Sequence, residues 1–330
     1  MKRIFLLMAV VLAVSVAFAQ DDDDYSQRLK LDKSKLLKNA KKLSIPQFLV
    51  HYKLVTTAKA IGQDRSERTV AGARVTAYLE ITDGELTDAD FLEITNYGYN
   101  YLQRALKASG IDTVAWSAVT ATDFYQKAGD DDDEKEKNDS KQEKGSQTWV
   151  TSNANNGTIL HKGMIGFAFG KGKRAMKFCD DVGASAAYFD ITVDFADVQV
   201  SVEVKTIPKK DLALGWYYPA STKTKYTWGV NPDMRVGQTD GGMIMFGDRK
   251  GGAEIMLIGG RDIPAGVRYI DNISEDASKA RSGLAKQFAF RKELTPVVIE
   301  TTKDKYKMGA KKALEVFADA FVKKVHSFDK

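Results

Sequence analysis

The sequence predicts an α/β (α+β) protein in which β-α-β units form a mixed sheet, helices pack on that sheet, and a long amphipathic helix ends the chain. Three observations carry this prediction. Residues 70–81 have the pattern of a strand and are followed by a capped helical pattern. Residues 186–195 and 198–204 alternate between apolar and polar side chains. Residues 303–328 place their apolar side chains on one helical face.

The first β-α-β unit is predicted between residues 70 and 119. Thr87 is the expected helix N-cap, and Asp88 and Asp90 lie in the first turn, where carboxylates suit the helix dipole. Apolar residues then recur at helical spacing as far as Leu106, and Gly110 suits the end of the helix. Residues 111–119 are expected to begin the next strand.

The second unit is predicted after residue 163. It has a strand at 164–169, a short helix at 173–181 that Gly183 closes, and a strand at 186–195. The apolar phase slips past Ala196 and Asp197, which predicts a bulge or tight turn before a further strand at 198–204. Residues 243–258 have the pattern of a hairpin.

The alternating runs 189–195 and 198–204 fit a sheet that is half-buried against a helix, and the C-terminal helix is its predicted cover. The same alternation is typical of strands that face lipid in an outer-membrane protein. Spanning strands need about 9–11 residues, whereas these runs have seven each before the phase slips. The sequence therefore favours the buried sheet.

Residues 1–19 have the pattern of a secretory signal peptide. Lys2 and Arg3 precede an apolar run, and Ala-Phe-Ala at 17–19 fits cleavage after Ala19. We therefore expect an exported protein, periplasmic or extracellular. Loss of Lys2 and Arg3 lowers the formal net charge from +5 to +3, which is not the basic excess of a nucleic-acid-binding domain.

Composition divides the remaining chain. A charged N-terminal segment, 20–45, precedes the first part of the α/β domain, 46–128. An acidic and charged insert, 129–148, separates it from the remainder of the domain, 149–330, which includes the hairpin and the C-terminal helix. Residues 129–145, "GDDDDEKEKNDSKQEKG", contain no aromatic or aliphatic side chain, so the insert is predicted to be disordered.

The stretch 163–178, "GMIGFAFGKGKRAMKF", contains the first candidate site. Its Gly-x-Gly turn partly matches a dinucleotide fingerprint, but an alanine stands in place of the third glycine. A tight turn from a strand into a helix explains the pattern better, and its free N–H groups still form a candidate anion site. The candidate ligand-binding residues are Gly170, Lys171, Gly172, Lys173 and Arg174.

An aromatic stretch, 215–228, is the second candidate. Its tyrosines and tryptophans are amphipathic side chains that suit contact with a partner protein, a glycan or a lipid surface. Packing in the core or at hairpin edges explains them equally well. The candidate contact residues are Trp216, Tyr217, Tyr218, Tyr226 and Trp228.

Other chemistry has little support in the sequence. His51, His161 and His326 are far apart and lack zinc-type spacing, so no metal site is predicted, and no cofactor is implied. No Gly-x-Ser-x-Gly elbow occurs. Abundant carboxylates leave an exported hydrolase open, but none is singled out. The single Cys179 is predicted to be a buried apolar residue.

The passage "AMKFCDDVGASAAYFDITVDF", residues 175–195, resembles curli-assembly secretion-channel (CsgG-like) proteins and related TolB amino-terminal-like domains. In that family a helix ends at Gly-Ala and enters an outgoing strand, and Gly183 and Ala184 would occupy this corner. The hairpin near Gly247, the final helix near Tyr306, and the unit ending "LQRALKASGIDTV" are similar too. In outline the resemblance covers 70–128 and 162–328.

The resemblance implies a periplasmic α/β scaffold that works in envelope assembly or secretion, often as an oligomer. The curli channel subunit carries an N-terminal lipid-anchored cysteine that this sequence lacks, which favours a soluble relative. We therefore expect an exported, non-enzymatic cell-envelope protein that binds an envelope partner or associates with itself, as a homo-oligomer. Peripheral contact with the outer membrane stays open. The alternative is a periplasmic small-ligand or anion-binding protein that uses the turn at Gly170–Gly172.

Overall fold

The structure is a computed structural model that describes residues 24–31, 41–64, 69–130, 142–143, 146–160, 172–210, 217–246, 252–257, 262–279 and 291–326. The strands are β1 (Leu29–Leu31), β2 (Lys42–Lys53), β3 (Val55–Asp64), β4 (Thr69–Ile81), β5 (Asp112–Thr113), β6 (Gln142–Glu143), β7 (Ser146–Gln147), β8 (Trp149–Asn153), β9 (Ser185–Asp194), β10 (Asp197–Lys210), β11 (Tyr217–Asn231), β12 (Arg235–Phe246), β13 (Gly252–Leu257), β14 (Ile263–Pro264), β15 (Asn272–Glu275), β16 (Arg291–Glu293) and β17 (Val297–Thr301). The α-helices are α1 (Asp88–Ala108), α2 (Trp116–Thr120), α3 (Asp123–Asp130), α4 (Gly172–Val182) and α5 (Lys303–His326).

Eight of the described strands form the central sheet. Their order is β1-β13-β12-β9-β2-β5, with β14 paired to β12 and β8 paired to β2. β9 runs parallel to β2 and antiparallel to β12, so the sheet is mixed. Parallel neighbours need a long crossover connection, and helices in the chain between β2 and β9 supply it. The predicted α/β class is confirmed.

Helices α1 and α5 cover one face of the central sheet. Phe189 of β9 is fully buried, and its ring centroid lies 6.0 Å from that of Phe317 and 4.9 Å from that of Phe321, both on α5. The helices meet at Gly98, where a Cβ atom would lie 2.6 Å from Leu314 Cδ1. A larger residue at position 98 would therefore require the Leu314 side chain to shift. The prediction that α5 covers the run 189–195 is confirmed.

The predicted helix ends are present. Thr87 accepts a hydrogen bond from the backbone N–H of Asp90, and the Asp90 carboxylate accepts one from the N–H of Thr87, which completes a capping box. Gly110 follows α1 with a φ of +87°, and Gly183 follows α4 with a φ of +58°. Both lie in the left-handed region that glycine adopts without steric cost.

On the opposite face of the sheet, α3 and α4 cover the first half of β9. Phe178 and Cys179 of α4 pack with Tyr188 of β9 in a second buried cluster. The ring of Phe178 lies 5.3 Å from that of Phe124 on α3. Cys179 is 4% exposed, so the prediction of a buried cysteine is confirmed.

A second sheet has the order β15-β17-β4-β16, with β3 paired to β4. β17 runs parallel to β4, and β3 runs antiparallel to it. Ala77 of β4 and Val297 and Ile299 of β17 belong to the same buried cluster as Phe189. One apolar core therefore joins both sheets to α1 and α5.

The strand predicted at 111–119 is wrong in its extent. Only Asp112 and Thr113 form a strand, opposite the start of β2, and the short helix α2 follows at once. The same edge of β2 is occupied further along by β8, which pairs with Leu49–Lys53. The chain instead turns into α2 and buries Val119 in the cluster around Phe178.

The break predicted at Ala196 and Asp197 is present, because β9 ends at Asp194 and β10 begins at Asp197. The predicted cover of β10 is wrong. Past the break, the apolar face of β10 packs on Ala73 and Val75 of the second sheet rather than on α5. The break therefore turns the strand from one sheet toward the other.

Several predictions lie outside the described residues. These are the leader 1–19, the strand 164–169, most of the insert 129–148, and the turn of the hairpin at 243–258. The two strands of that hairpin are described, and Met243–Phe246 of β12 pairs antiparallel with β13.

Candidate functional site

Strands β10 and β11 form a long hairpin that is a sheet of its own. They pair antiparallel over fourteen residue pairs, from Asp197 opposite Asn231 to Lys210 opposite Tyr217. The register shifts once, between Ile207 and Pro208. Two-stranded hairpins alone are marginally stable in water, so the contact of this one with the rest of the protein determines its stability.

One face anchors the base of the hairpin to the second sheet. Val198, Val200 and Val202 of β10 pack, partly buried, on the cluster around Ala73. At Gly62 of β3, a Cβ atom would lie 2.2 Å from the carbonyl oxygen of Val202. The backbones of β10 and β3 therefore approach so closely that only glycine fits at position 62.

The opposite face of the hairpin is polar and exposed. Its exposed side chains are those of Gln199, Ser201, Glu203, Lys205, Lys223, Lys225, Thr227 and Asn231. Glu203 stands opposite Lys225, a favourable pair, but Lys205 stands directly opposite Lys223. Because two lysines face each other here, this face has a local excess of positive charge. Like charges placed directly opposite across two strands are also destabilising.

No third strand in the described part of the chain pairs with the outer edges of the hairpin. Among the described residues, β10 pairs only with β11 and β11 only with β10. Each strand therefore presents a row of backbone N–H and C=O groups that another strand can pair with. Adding a strand to such an edge is a recurrent mode of protein association.

Four of the five aromatic candidates lie on this hairpin. Tyr226 and Trp228 of β11 are partly buried on the cluster around Ala73, which matches the core-packing interpretation that the sequence left open. The ammonium of Lys292 lies 4.9 Å from the centroid of the Tyr226 ring. Tyr217 and Tyr218 open β11 at the far end of the hairpin, and Trp216 lies outside the described residues.

The glycine-turn candidates fall at the start of α4. Gly170 and Lys171 lie outside the described residues, while Gly172 is the first residue of the helix and Lys173 and Arg174 follow in its first turn. That turn contains no acidic residue. The positive end of the helix dipole therefore coincides with two basic residues, an arrangement that favours an anion.

A polar row crosses the central sheet on the face opposite α1 and α5. His51 of β2 has its Nδ1 2.9 Å from Oγ1 of Thr151 on β8, and its Nε2 2.9 Å from Oδ1 of Asp190 on β9. The His51 and Asp190 side chains are 21% and 15% exposed. A carboxylate, an imidazole and a hydroxyl in this order form the hydrogen-bonded arrangement that activates nucleophiles in hydrolases. Here the same contacts also link the three adjacent strands β9, β2 and β8.

His51 stands out in the sequence as one of three scattered histidines, but nothing in the sequence pairs it with Thr151 or Asp190. Thr151 is 100 positions from it and Asp190 is 139 positions away, so no local motif joins them. The available signal was weak: Asp190 is a polar residue in an alternating strand, as are many surface residues.

A second charged group lies at the end of β9. Asp194 is buried, and its carboxylate accepts hydrogen bonds from Lys53 Nζ at 2.7 Å and from Thr56 Oγ1 at 2.5 Å. Nearby, burial raises the pKa of Asp262, an effect that the positive charge of Arg235 opposes. We interpret the contacts of Asp194 with Lys53 and Thr56 as structural, because they hold the end of β9 in place where the chain leaves the central sheet.

The described residues contain no group of three histidine, cysteine or carboxylate side chains placed to hold a metal ion. No helix within the described ranges is both long and apolar enough to cross a membrane. No protein-family model, curated protein or solved structure matches this chain.

Proposed function

We propose that the protein is an exported, non-enzymatic component of the cell envelope that acts in assembly or secretion as a self-associating or partner-binding scaffold. The β10–β11 hairpin is its contact surface. The observation that carries this proposal is a fourteen-pair hairpin that is anchored by one face at its base and whose outer edges pair with no other strand within the described ranges. The leader pattern at 1–19 supports export.

Edge pairing supplies the mechanism. A strand from a second copy, or from another envelope protein, adds to β10 or β11 and satisfies the open backbone groups. Exposed lysines on an edge sheet discourage indiscriminate pairing. Lys205 and Lys223 therefore favour a partner strand that presents acidic side chains at that position.

Shortening the hairpin tests the proposal. Residues 206–222 are removed and Lys205 is joined to Lys223 by Asn-Gly, which suits a two-residue hairpin turn. The packed valines at the base stay in place, so the fold should persist. Light scattering after gel filtration should show an oligomer for the unmodified chain and a monomer for the shortened one, and both chains should unfold cooperatively on heating.

A control separates the edge from the aromatic residues. The triple change Trp216→Ala, Tyr217→Ala and Tyr218→Ala keeps the full hairpin backbone, so it should leave the oligomer intact if edge pairing drives association. Loss of the oligomer in this control would show that the aromatic side chains, rather than the strand edges, drive association. A monomeric unmodified chain would contradict self-association.

The non-enzymatic part of the proposal is tested at the row formed by His51, Asp190 and Thr151. If the row is structural, the unmodified chain and His51→Gln should hydrolyse p-nitrophenyl acetate equally slowly. Hydrolysis by the unmodified chain that is lost in His51→Gln would establish the hydrolase alternative.

Anion binding at the start of α4 is the second candidate function. The absence of acidic residues from the first turn of α4, which carries Lys173 and Arg174, favours it. Phosphate, ATP and NAD would each be tested for a rise in melting temperature, with Lys173→Ala as the comparison. A rise that Lys173→Ala abolishes supports this function, and no rise with any of the three contradicts it.

A further inference from the structure

The turn that follows β8 has an unusual backbone. Asn155 and Asn156 have φ values of 56° and 49°, in the left-handed region that most residues avoid and that asparagine enters more readily than others. Both residues are exposed, and the 3₁₀ turn Ala154–Asn156 ends with them. The backbone therefore favours asparagine at position 156.

Packing favours a glycine at the next position. A Cβ atom on Gly157 would lie 2.5 Å from the hydroxyl oxygen of Tyr125 and 2.8 Å from Cζ2 of Trp116. The two rings contact each other, with centroids 5.4 Å apart, and the Tyr125 hydroxyl accepts a hydrogen bond from the N–H of Thr158 at 2.9 Å. A larger residue would require these rings to shift. The fold thus places an asparagine directly before a glycine, and this pair occurs once in the sequence.

Asparagine followed by glycine is a reactive pair, because glycine has no side chain to obstruct attack by its own backbone nitrogen on the asparagine amide. We propose that Asn156 is a site of spontaneous deamidation. The nitrogen of Gly157 bonds to Cγ of Asn156, the Cγ–Nδ2 bond breaks, and ammonia leaves with the proton from that nitrogen. Water then opens the cyclic imide at either carbonyl and gives aspartate or isoaspartate.

The folded turn leaves this reaction open. Within the described part of the chain, the exposed side chain of Asn156 makes no hydrogen bond that would hold its amide in place. The N–H of Gly157 donates to the carbonyl of Ala154 at 3.1 Å, so this bond must open before the nitrogen attacks. It is a single bond at the end of an exposed short turn, and such bonds open locally at a low free-energy cost. The folded chain should therefore react, although more slowly than the unfolded chain.

Isoaspartate would disturb the packing around the turn, since it adds one carbon to the backbone before Gly157. The side chain of the buried Asn153 donates to the carbonyls of Gly157 and Thr158, both at 3.1 Å. Its Oδ1 also accepts a hydrogen bond from the N–H of Phe48 on β2 at 3.2 Å. A longer backbone misaligns these bonds, so deamidation weakens the attachment of the turn to the central sheet. This inference is independent of the hairpin.

Ageing of the purified full chain tests the proposal. The folded chain is incubated in mildly alkaline buffer and digested, and the peptide that contains residues 153–158 is examined by mass spectrometry for conversion of amide to acid. Sequencing from the N-terminus of that peptide stops at isoaspartate and so locates it. Asn155 is the internal control, because it shares the left-handed backbone and the exposure but precedes an asparagine. Asn156→Gly is the matched variant, since glycine keeps the left-handed backbone and has no amide to lose.

We expect conversion at Asn156 and none at Asn155, at a rate that rises with hydroxide concentration. The melting temperature of the unmodified chain should fall with ageing, whereas that of Asn156→Gly should stay constant. An intact Asn156 in the folded chain, after the urea-unfolded chain has converted fully, would overturn the proposal, because the bond to Ala154 would then block the attack. Equal conversion at Asn155 and Asn156 would overturn it as well, because the glycine would then have no part in the reaction.

Discussion

Gly62→Ala tests whether the hairpin is held by the close approach of β10 to β3. The added methyl group would lie 2.2 Å from the carbonyl oxygen of Val202 and 2.9 Å from its carbonyl carbon. Both atoms belong to backbone, so no rotamer change can relieve the clash. The strands must separate by about 1 Å to reach ordinary contact distance, which forfeits a quarter to a half of each dispersion contact at the interface.

The expected loss of unfolding free energy follows from the contacts that this separation weakens. Val198, Val200, Val202, Tyr226 and Trp228 all contact the second sheet through this interface. Overpacking in well-packed regions costs about 1–3 kcal/mol, and we expect Gly62→Ala to lower the free energy of unfolding by that amount. Urea denaturation followed by tryptophan fluorescence measures the change.

Gly229→Ala is the matched control. Gly229 lies on β11 in the same hairpin, it is exposed, and an added Cβ would meet no atom within 4 Å. Its φ is outside the left-handed region, so alanine should change stability by less than about 0.5 kcal/mol or raise it slightly. Equal stability of the Gly62 and Gly229 variants would refute the reasoning, because the clash would then have been relieved at no cost.

Three further predictions concern the leader, the insert and the first helix. N-terminal sequencing of the exported chain should begin at Gln20, and a retained Met1 would contradict the predicted cleavage. Deleting residues 131–144 should change the melting temperature little, because loop-closure entropy depends weakly on length; a large fall would show that the insert packs. Hydrogen bonds from the backbone and hydroxyl of Thr87 hold the pKa of Asp90 below its usual value of about 4. The stabilisation that the ionised Asp90 carboxylate contributes is therefore fully present above about pH 4, and it is lost as the pH falls through the pKa of the folded state. Asp90→Asn should reduce the free energy of unfolding by about 1 kcal/mol at pH 7 and by less at pH 2.

The elements that were predicted correctly have their cause within a few neighbouring residues. The capping box at Thr87, the left-handed glycines after α1 and α4, and the apolar stripe of α5 are local features. The break between β9 and β10 could be predicted for the same reason, because consecutive residues show the change in which side chains are apolar.

The predictions that failed concern competition between distant segments. Residues 111–119 have strand propensity, but the edge of β2 that would accept a longer strand is paired further along with β8, which comes later in the chain. The apolar face of β10 was evident in the sequence, yet its partner surface on β3 and β4 was not, since alternation identifies a buried face without identifying what covers it. The row of His51, Asp190 and Thr151 was missed because register between strands created it.

The close approach at Gly62 also separates the stability of the hairpin from its proposed role in assembly. Gly62→Ala shifts the base of the hairpin relative to β3 but leaves every edge group of β10 and β11 in place. Removal of 206–222 does the reverse, because it deletes the outer part of both edges and keeps the packed base.

If association depends on a hairpin held at a fixed angle, both variants should dissociate the oligomer, although only Gly62→Ala should lower the unfolding free energy. If the edge pairs whatever its angle, Gly62→Ala should be less stable but still oligomeric in light scattering. Dissociation by Gly62→Ala together with an intact oligomer in the shortened hairpin would reject edge pairing, because the contact would then lie at the base, near β3.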